Sequence, residues 1–247
     1  MNLVVDIGNT RGKYAIFHGD TLIERGDVPL GWYARALAAR TRGEAVDVLL
    51  ASTGSVPTGT RERLREVATS FREASTALPL PLQIAYESPD TLGIDRVAGC
   101  VAGIALYPGR ALLIVDAGTA ITFNFVSKSG VLLGGNISPG PRLRYRALHA
   151  FTAHLPLEEQ LGHGDRIGKN TRDALREGVT RGVLLEIQGY ARTFLNDHPD
   201  GILLLTGGDA PALRRSLPDA FHFEEHLVMT GLNQILEHQK KRDEDAI

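Results

Sequence analysis

The chain has 247 residues, of which 43% are hydrophobic and 23% are charged, and its formal net charge is −2. This composition is that of a globular protein with room for a sizeable core, which excludes intrinsic disorder, and the charge balance argues against a broad nucleic-acid-binding or anionic-membrane-binding surface. No apolar run reaches the roughly 18 residues of a membrane span. The single cysteine, Cys100, excludes an intrachain disulfide, and no signal-peptide pattern opens the chain, so we expect a cytoplasmic protein.

The first part of the chain predicts a three-stranded meander followed by helices and further strands. The meander strands are expected at Leu3–Val5, Gly12–Phe17 and Thr21–Val28. Helices are expected at Trp32–Arg42, Thr60–Phe71 and Ile94–Tyr107, with extended segments at Val46–Ala51 and Leu82–Tyr86 between them.

The opening pattern returns after 110 residues. Asp6 and Gly8 recur as Asp116 and Gly118 (116 − 6 = 110), each pair after an apolar run. The elements expected in this second copy are the strands Ala120–Val126, Val131–Leu133 and Gly201–Leu205 and the helices Arg142–His154, Asn170–Asn196, Ala210–Leu217 and Leu227–Gln239, before a solvated, frayed tail at Lys240–Asp245. A repeat of this length indicates two duplicated α/β domains, which we expect at 1–108 and 109–247.

Both copies place an aspartate at a strand end and follow it with a glycine turn. The sequences are Asp6-Ile7-Gly8-Asn9-Thr10 and Asp116-Ala117-Gly118-Thr119-Ala120. Backbone N–H groups of such a turn can hold phosphate oxygens, and the carboxylate can hold Mg²⁺ directly or through water. A P-loop and a Rossmann fingerprint are excluded, because the spacing is one residue short and a strand, not a helix, follows. The arrangement resembles the actin, hexokinase and Hsp70 superfamily, which implies ATP bound between two RNase H-like domains, each a mixed sheet flanked by helices.

Two further motifs each have two interpretations. Thr206-Gly207-Gly208-Asp209 lies between a strand and a helix and is either a plain turn or a nucleotide contact, for which paired glycines let the backbone approach a flat ligand. Gly93-Ile94-Asp95-Arg96 opens a helix rich in small residues. Asp95 either complements the helix dipole or acts as a general base beside an arginine that holds an acidic substrate.

Together these motifs resemble those of type III pantothenate kinases, which phosphorylate pantothenate with ATP in the first step of coenzyme A biosynthesis. The matching segments are Asp6–Thr10, Gly93–Arg96, Asp116–Ala120, Gly134–Gly140, Gly168–Thr171 and Thr206–Gly208. They occur in the expected order over most of the chain.

The resemblance implies a role for each matched position. Asp95 is expected to be the catalytic base. The ATP and phosphate ligands are expected to be Asp6, Ile7, Gly8, Asn9, Thr10, Arg11, Gly12, Lys13, Thr119, Gly207 and Gly208. Pantothenate is expected to contact Tyr86, Gly93, Ile94, Asp95 and Arg96, and Thr171 from the partner subunit of a homodimer. The cofactors implied are Mg²⁺ with ATP, held by Asp6, and a monovalent cation, K⁺ or NH₄⁺, held by Asp116.

Two segments depart from the family pattern, and other interpretations stay open. Asn124 stands where family members often have aspartate, and Ser52–Pro57 is a loose version of the usual Ser-Val-Val-Pro. The alternatives are a non-catalytic regulator on the same fold and a kinase for another small acid or sugar. A zinc site at His222 and His226 is disfavoured by the strand-like sequence around it. The basic cluster Arg142, Arg144 and Arg146 is best interpreted as a solvated helix face.

Overall fold

A computed structural model describes residues 1–28 and 32–245, without the side chain of Trp32. Its first elements are β1 (Asn2–Ile7), β2 (Gly12–His18), β3 (Thr21–Asp27), α1 (Trp32–Thr41), β4 (Asp47–Ser52), α2 (Thr60–Val67), β5 (Ser70–Glu73), β6 (Gln83–Ile84) and α3 (Ile94–Leu106). The later ones are β7 (Leu112–Ala117), β8 (Ala120–Val126), β9 (Val131–Pro139), α4 (Pro141–Ala150), α5 (Thr171–Asp197), β10 (Ile202–Thr206), α6 (Ala210–Leu213), β11 (Phe221–Phe223) and α7 (Leu227–Glu244). Within the described ranges, no helix has both the length and the apolar character needed to cross a membrane.

Two mixed sheets carry the duplication. The first has the strand order β3-β2-β1-β4-β5, in which β1, β2 and β3 pair antiparallel, whereas β4 runs parallel to β1 and β5 parallel to β4. Strands β7 to β11 repeat this scheme in the order β9-β8-β7-β10-β11, with the same directions at every pair. The predicted α/β duplication is therefore confirmed, and β7 takes the place of β1.

The two aspartate-bearing strands lie at the centres of their sheets. β1 and β7 share one burial pattern, in which four buried residues precede a half-buried aspartate and a further buried residue. A central strand covered on both faces reads as a continuous apolar run. Asp6 and Asp116 therefore interrupt their strands at equivalent places, near the carboxyl ends.

The chain forms two compact units. One comprises Met1–Leu106 together with His226–Ile247, and the other comprises Tyr107–Glu225. The sequence predicts a single boundary after residue 108, and the chain does enter the second unit close to it. However, α7 packs on β1 and β4 and lies in the first unit, so the chain returns to that unit at His226.

A buried polar network ties α7 to β1. Asn2 Nδ2 donates to Asn233 Oδ1 at 2.8 Å and to Glu237 Oε1 at 2.6 Å, and Lys240 Nζ donates to Asn2 Oδ1 at 3.2 Å. The expected tail at Lys240–Asp245 is solvated from Lys241 onwards, as predicted, but it is not frayed, because α7 continues to Glu244. The helix is extended because its polar side chains find partners in the first unit.

Several other elements differ from their predicted bounds. Helix α4 ends at Ala150 rather than His154, and α6 ends at Leu213 rather than Leu217, while two further elements differ because of sheet pairing. The sequence predicts helix up to Phe71, but α2 ends at Val67 and Ser70–Glu73 adds β5 to the sheet edge beside β4. Strand β9 extends to Pro139 rather than Leu133, because every residue of β8 pairs with a residue in the range Leu132–Pro139. In both cases pairing across a sheet overrides the local signal.

Candidate active site

The first candidate phosphate turn connects β1 to β2. Asp6 pairs with Lys13 across the two strands, and the N–H of Gly8 donates to the carbonyl of Arg11 at 3.1 Å. This bond closes a tight turn whose Asn9 and Thr10 side chains are exposed. Such a turn presents backbone and side-chain donors to an anion.

The remaining predicted ligands of this turn differ in what they offer. Arg11 and Lys13 are exposed and present cationic side chains. Ile7 is only 4% exposed and packs in the core of the first unit. A Cβ on Gly12 would lie 2.8 Å from the Cδ1 of Ile7. Ile7 and Gly12 can therefore contribute backbone groups only.

The loop Ser52–Gly54 covers this turn, a contact that the sequence does not predict. The N–H groups of Thr53 and Gly54 both donate to the carbonyl of Ile7 at 3.0 Å. A Cβ on Gly54 would lie 2.7 Å from the carbonyl oxygen of Gly8, which only glycine avoids. The loop therefore fixes the backbone from which the turn projects.

Asp95 lies in the first turn of α3. Its Oδ1 accepts the N–H of Arg96 at 2.8 Å, and a Cβ on Gly93 would lie 2.5 Å from the same oxygen. The missing side chain at Gly93 lets the carboxylate fold back over the start of the helix. That Cβ position is also 3.7 Å from Thr53 Cγ2, so the Asp95 segment adjoins the loop over the phosphate turn.

Arg96 and Tyr86 form a cation–π pair beside Asp95. The guanidinium carbon lies 5.7 Å from the ring centroid, and Arg96 is only 7% exposed. Ile94 is a buried core residue, so only its backbone can reach a substrate. One turn further along α3, burial raises the pKa of the Cys100 thiol to about 12, which keeps it protonated and unreactive.

The second candidate phosphate turn connects β7 to β8. The N–H of Gly118 donates to the carbonyl of Ala120 at 3.0 Å, and the N–H of Gly140 donates to the carbonyl of Thr119 at 3.0 Å. A Cβ on Gly140 would overlap the carbonyl oxygen of Gly118, so the start of α4 rests directly on the turn. Thr119 is exposed at the tip.

Gly207 closes the other side of this turn. Its φ is +101°, in the region that favours glycine, and a Cβ there would overlap both the carbonyl oxygen of Ala117 and the Oδ1 of Asp116. The N–H of Asp209 donates to the carbonyl of Ala117 at 2.8 Å. The Cβ position of Gly208 faces open space, which leaves this side of the loop accessible to a ligand.

The two turns are covered in the same way. Each covering loop follows the strand that runs parallel to the aspartate-bearing strand, β4 in the first unit and β10 in the second. The carbonyls that accept from the loops, those of Ile7 and Ala117, are 110 residues apart (117 − 7 = 110). The covering glycines Gly54 and Gly207 are 153 residues apart (207 − 54 = 153), because the stretch between β9 and β10, which contains α4 and α5, is longer than the stretch between β3 and β4.

Thr171 begins α5 and lies at an apolar groove of the second unit. Asn170 caps the helix, since its Oδ1 accepts the N–H of Asp173 at 3.0 Å. The groove runs between α4 and α5 and has a volume of about 730 Å³. Its apolar lining includes Leu143, Leu148, Phe151, Leu155, Leu175 and Val179. Phe151 is 88% exposed, so this face presents a large aromatic ring to the surroundings.

Comparison with known proteins of similar sequence establishes the family to which this chain belongs. The family model described as type III pantothenate kinase matches residues 2–193. The chain belongs to the type III pantothenate kinase family. Relatives of that name are 37% identical over 246 residues in Phocaeicola vulgatus (98% of this chain and 100% of that protein) and over 241 residues in Porphyromonas gingivalis W83 (96% and 98%). Pantothenate kinases of this family phosphorylate pantothenate in the first step of coenzyme A biosynthesis.

Solved structures agree on the fold. A Campylobacter jejuni protein assigned to the Baf family of transcriptional activators has a TM-score of 0.60 at 23% identity, covering 97% of this chain and 99% of its own. The activator of 2-hydroxyisocaproyl-CoA dehydratase from Clostridium difficile, with bound ADPNP, has a TM-score of 0.51 at 12% identity, covering 99% and 97%. Both structures share the α/β fold of this pantothenate kinase family member.

Asn124, which stands where the resemblance leads us to expect aspartate, is buried. It is 1% exposed, and its Nδ2 donates to Thr122 Oγ1 at 3.2 Å. A buried carboxylate would need a compensating charge, whereas a neutral amide needs only hydrogen-bond partners. Asparagine therefore suits the interior of β8.

The donor atoms near both aspartates suit hard cations. A kinase of this family uses a divalent cation such as Mg²⁺ with ATP. In the part of the chain that the structure describes, no group of three or more His, Cys, Asp or Glu side chains could hold a metal. Mg²⁺ in kinases is commonly held by one or two carboxylates and the substrate phosphates, so a single aspartate at a phosphate turn is sufficient. Around Asp116, its Oδ1 and the carbonyl oxygen of Ala117 both pack close to Gly207, so two oxygen atoms of the kind that hard cations prefer lie near one another.

The basic cluster on α4 is largely neutralised. Arg142 lies 3.2 Å from the buried carboxylate of Asp209, and Arg144 pairs with Glu186. His222 lies in β11, as the strand-like sequence predicts, and its ring is 5.4 Å from that of Tyr107. Arg142 and Arg146 are exposed, as predicted for a solvated helix face, whereas Arg144 is half-buried in its ion pair.

Proposed function

We propose that Asp95 is the general base with which this chain phosphorylates pantothenate. The observation that carries the proposal is the position of the carboxylate at the start of α3, folded over Gly93 and adjoining the Thr53 loop that covers the first phosphate turn. A base and a phosphate turn in one compact unit are what transfer to a hydroxyl requires.

The γ-phosphoryl group passes from ATP to pantothenate, and the hydroxyl proton of pantothenate passes to Asp95. The primary hydroxyl oxygen of pantothenate attacks the γ-phosphorus in line, and the bond to the bridging oxygen breaks, so that ADP leaves with the electron pair. Asp95 accepts the hydroxyl proton. Because this transition state is loose, catalysis comes mainly from positioning and charge stabilisation.

We propose that ATP uses both phosphate turns. Residues Asp6 to Lys13 would hold phosphate oxygens through backbone N–H groups and through the exposed side chains of Thr10, Arg11 and Lys13, with Thr119 as a further donor. Gly207 and Gly208 would contact the nucleoside, since the Cβ position of Gly208 faces open space.

Pantothenate would be held beside the base. Arg96, kept in place by the ring of Tyr86, would bind the carboxylate or amide of the substrate. The backbone of Gly93 and Ile94 would contact the rest of the molecule. Because the ring of Tyr86 already holds the Arg96 guanidinium, this side chain loses little conformational entropy when the substrate binds.

Two cations would complete the site. Asp6 would hold Mg²⁺ directly or through water, and Asp116 with nearby carbonyl oxygens would hold K⁺ or NH₄⁺. When bound, these ions neutralise the charge of the phosphates. The aspartates fix where that charge compensation occurs.

We also propose a cytoplasmic homodimer formed through the groove between α4 and α5. The groove is apolar, exposes Phe151, and includes Thr171 in its lining. A second copy on this face would bury these residues and bring Thr171 to the pantothenate of its partner. The chain's single cysteine is buried and suits a reducing compartment.

One assay tests the activity and separates the alternatives. Purified chain is incubated with ATP, Mg²⁺ and pantothenate, with and without K⁺, and phosphopantothenate is measured directly. We expect product that depends on K⁺. Absence of product under both conditions would favour the regulator. Product from another small acid or sugar but not from pantothenate would favour a different kinase specificity.

A further inference from the structure

Glu158 is a buried carboxylate in the segment that joins α4 to α5. It is 3% exposed, and each of its oxygens makes one ion pair: Oε1 with Arg172 Nη1 at 2.6 Å and Oε2 with Arg176 Nε at 2.7 Å. A buried charge is tolerated only when it is paired and hydrogen-bonded. The hydrogen bond from Arg176, followed by the charges of both arginines, lowers the pKa of Glu158, so it stays ionised at neutral pH.

The two arginines lie one helical turn apart at the start of α5. Residues four apart share a helix face, so Arg172 and Arg176 approach Glu158 from one side. Arg172 directly follows Thr171, the first residue of the helix. An ion pair at Arg172 therefore restrains the turn that carries the Thr171 hydroxyl.

The same segment is also fixed to α4. Tyr145, which is 1% exposed, donates its hydroxyl to the carbonyl of Gln160 at 3.0 Å. Segment 158–160 is thus attached to both helices that form the walls of the apolar groove. Its position sets where the start of α5 lies relative to α4.

We propose that Glu158 is a positioning residue for pantothenate binding, which fixes the first turn of α5 through Arg172 and so places the hydroxyl of Thr171. The inference rests on the proposed contact between Thr171 and the pantothenate of the partner subunit. Glu158 itself touches no substrate in this scheme. Its effect is confined to the affinity for pantothenate.

The test compares two adjacent glutamates. In Glu158→Gln the amide oxygen can accept from one arginine only, and its NH₂ group opposes the other. We expect KM for pantothenate to rise about fivefold to tenfold, the effect of losing one hydrogen bond, while KM for ATP and kcat stay within about twofold of wild type. Glu159→Gln makes the same change at the exposed neighbouring position and should leave all three constants unchanged.

Two further variants keep the test informative if Glu158→Gln folds poorly. Arg172→Met keeps the pair between Glu158 and Arg176 and should raise KM for pantothenate to a similar extent. Thr171→Val removes the hydroxyl, and in that background neither Glu158→Gln nor Arg172→Met should raise this KM further. Such non-additivity distinguishes positioning of Thr171 from a general loss of stability.

The outcomes separate this inference from the proposed function. A wild-type chain that does not phosphorylate pantothenate overturns both. If the wild type is active, two results would overturn only the role of Glu158. One is an Arg172→Met variant with the wild-type KM for pantothenate, and the other is an effect of Arg172→Met on this KM that adds fully to that of Thr171→Val. A raised KM that is lost in the Thr171→Val background supports the role.

Discussion

Three glycines bring backbone segments of the candidate active site closer than a side chain would allow. Gly54 packs on the carbonyl of Gly8, Gly93 leaves room for the carboxylate of Asp95, and Gly207 packs on Asp116. The chain has 27 glycines, and these three matter because they have no Cβ atom. The charged groups of the site depend on them, because each glycine sets how far a carboxylate or an N–H group lies from its neighbours.

The clearest prediction at this scale concerns Asp95. Asp95→Asn keeps the acceptor for the Arg96 N–H but cannot take a proton from the substrate hydroxyl. We expect kcat to fall about 100-fold to 10,000-fold, with ATP affinity unchanged. Steady-state kinetics and ATP titration measure the two effects. A variant with wild-type kcat would show that another group accepts the proton.

Helices α3 and α7 cross within the first unit at a contact between backbones. A Cβ on Gly231 of α7 would overlap the carbonyl oxygen of Ala98 in α3. The small residues of α3, including Gly99 and Ala102, are buried along this crossing. The close approach lets a C-terminal helix lie against the helix that begins with Asp95.

Gly231→Ala should therefore destabilise the protein. Relieving the overlap would separate the helices, and we expect a loss of about 1–3 kcal/mol in the free energy of unfolding. Gly189→Ala is the matched control, because Gly189 lies within α5 with nothing near its Cβ position, and should gain about 0.5–1 kcal/mol. Urea denaturation measures both. Equal stability of the two variants would mean that the helices do not cross this closely.

Helix α5 also predicts a dependence of stability on acid pH. The pKa of Glu177 lies below its usual value of 4.5, mainly because its carboxylate accepts the N–H of His163 and further N–H groups such as that of Gly164. A carboxyl whose pKa is lowered on folding adds stability that is full above its unfolded pKa and is lost as pH falls through the folded value. We expect the urea midpoint to fall below about pH 4.5. In Glu177→Gln this fall should be shallower, and an identical pH dependence in the variant would contradict the assignment.

At the scale of the whole molecule, the apolar groove predicts the oligomeric state. Phe151→Glu places a charge where a second copy is expected to pack, so the variant should be monomeric and should bind pantothenate poorly. Leu106→Glu, at an exposed leucine of the first unit, is the control and should stay dimeric. Light scattering and KM for pantothenate are the measurements. A fully active Phe151→Glu monomer would remove the role proposed for Thr171.

The elements that the sequence predicts correctly are those that a local residue pattern specifies. The meander and its copy were predictable because Asp6 and Asp116 follow similar apolar runs at a fixed offset. The strand at Ser70–Glu73 was not, because only pairing with β4 makes it extended. The loop Ser52–Gly54 was missed as the counterpart of Gly207, since the longer stretch between β9 and β10 removes the common offset. A search for strand ends followed by a small polar residue and glycine would have found it.

The sequence by itself determined the α/β duplication, which follows from apolar periodicity and from the motif repeated after 110 residues. It also indicated the family, through the resemblance of its motifs and their order to those of known members. The tertiary structure decided which segments meet: the loop Ser52–Gly54 over the first turn, α7 against the first unit, and Glu158 beneath the arginines of α5. These contacts join residues distant along the chain. They depend on close backbone approach and on burial of paired charges, which have no local signature.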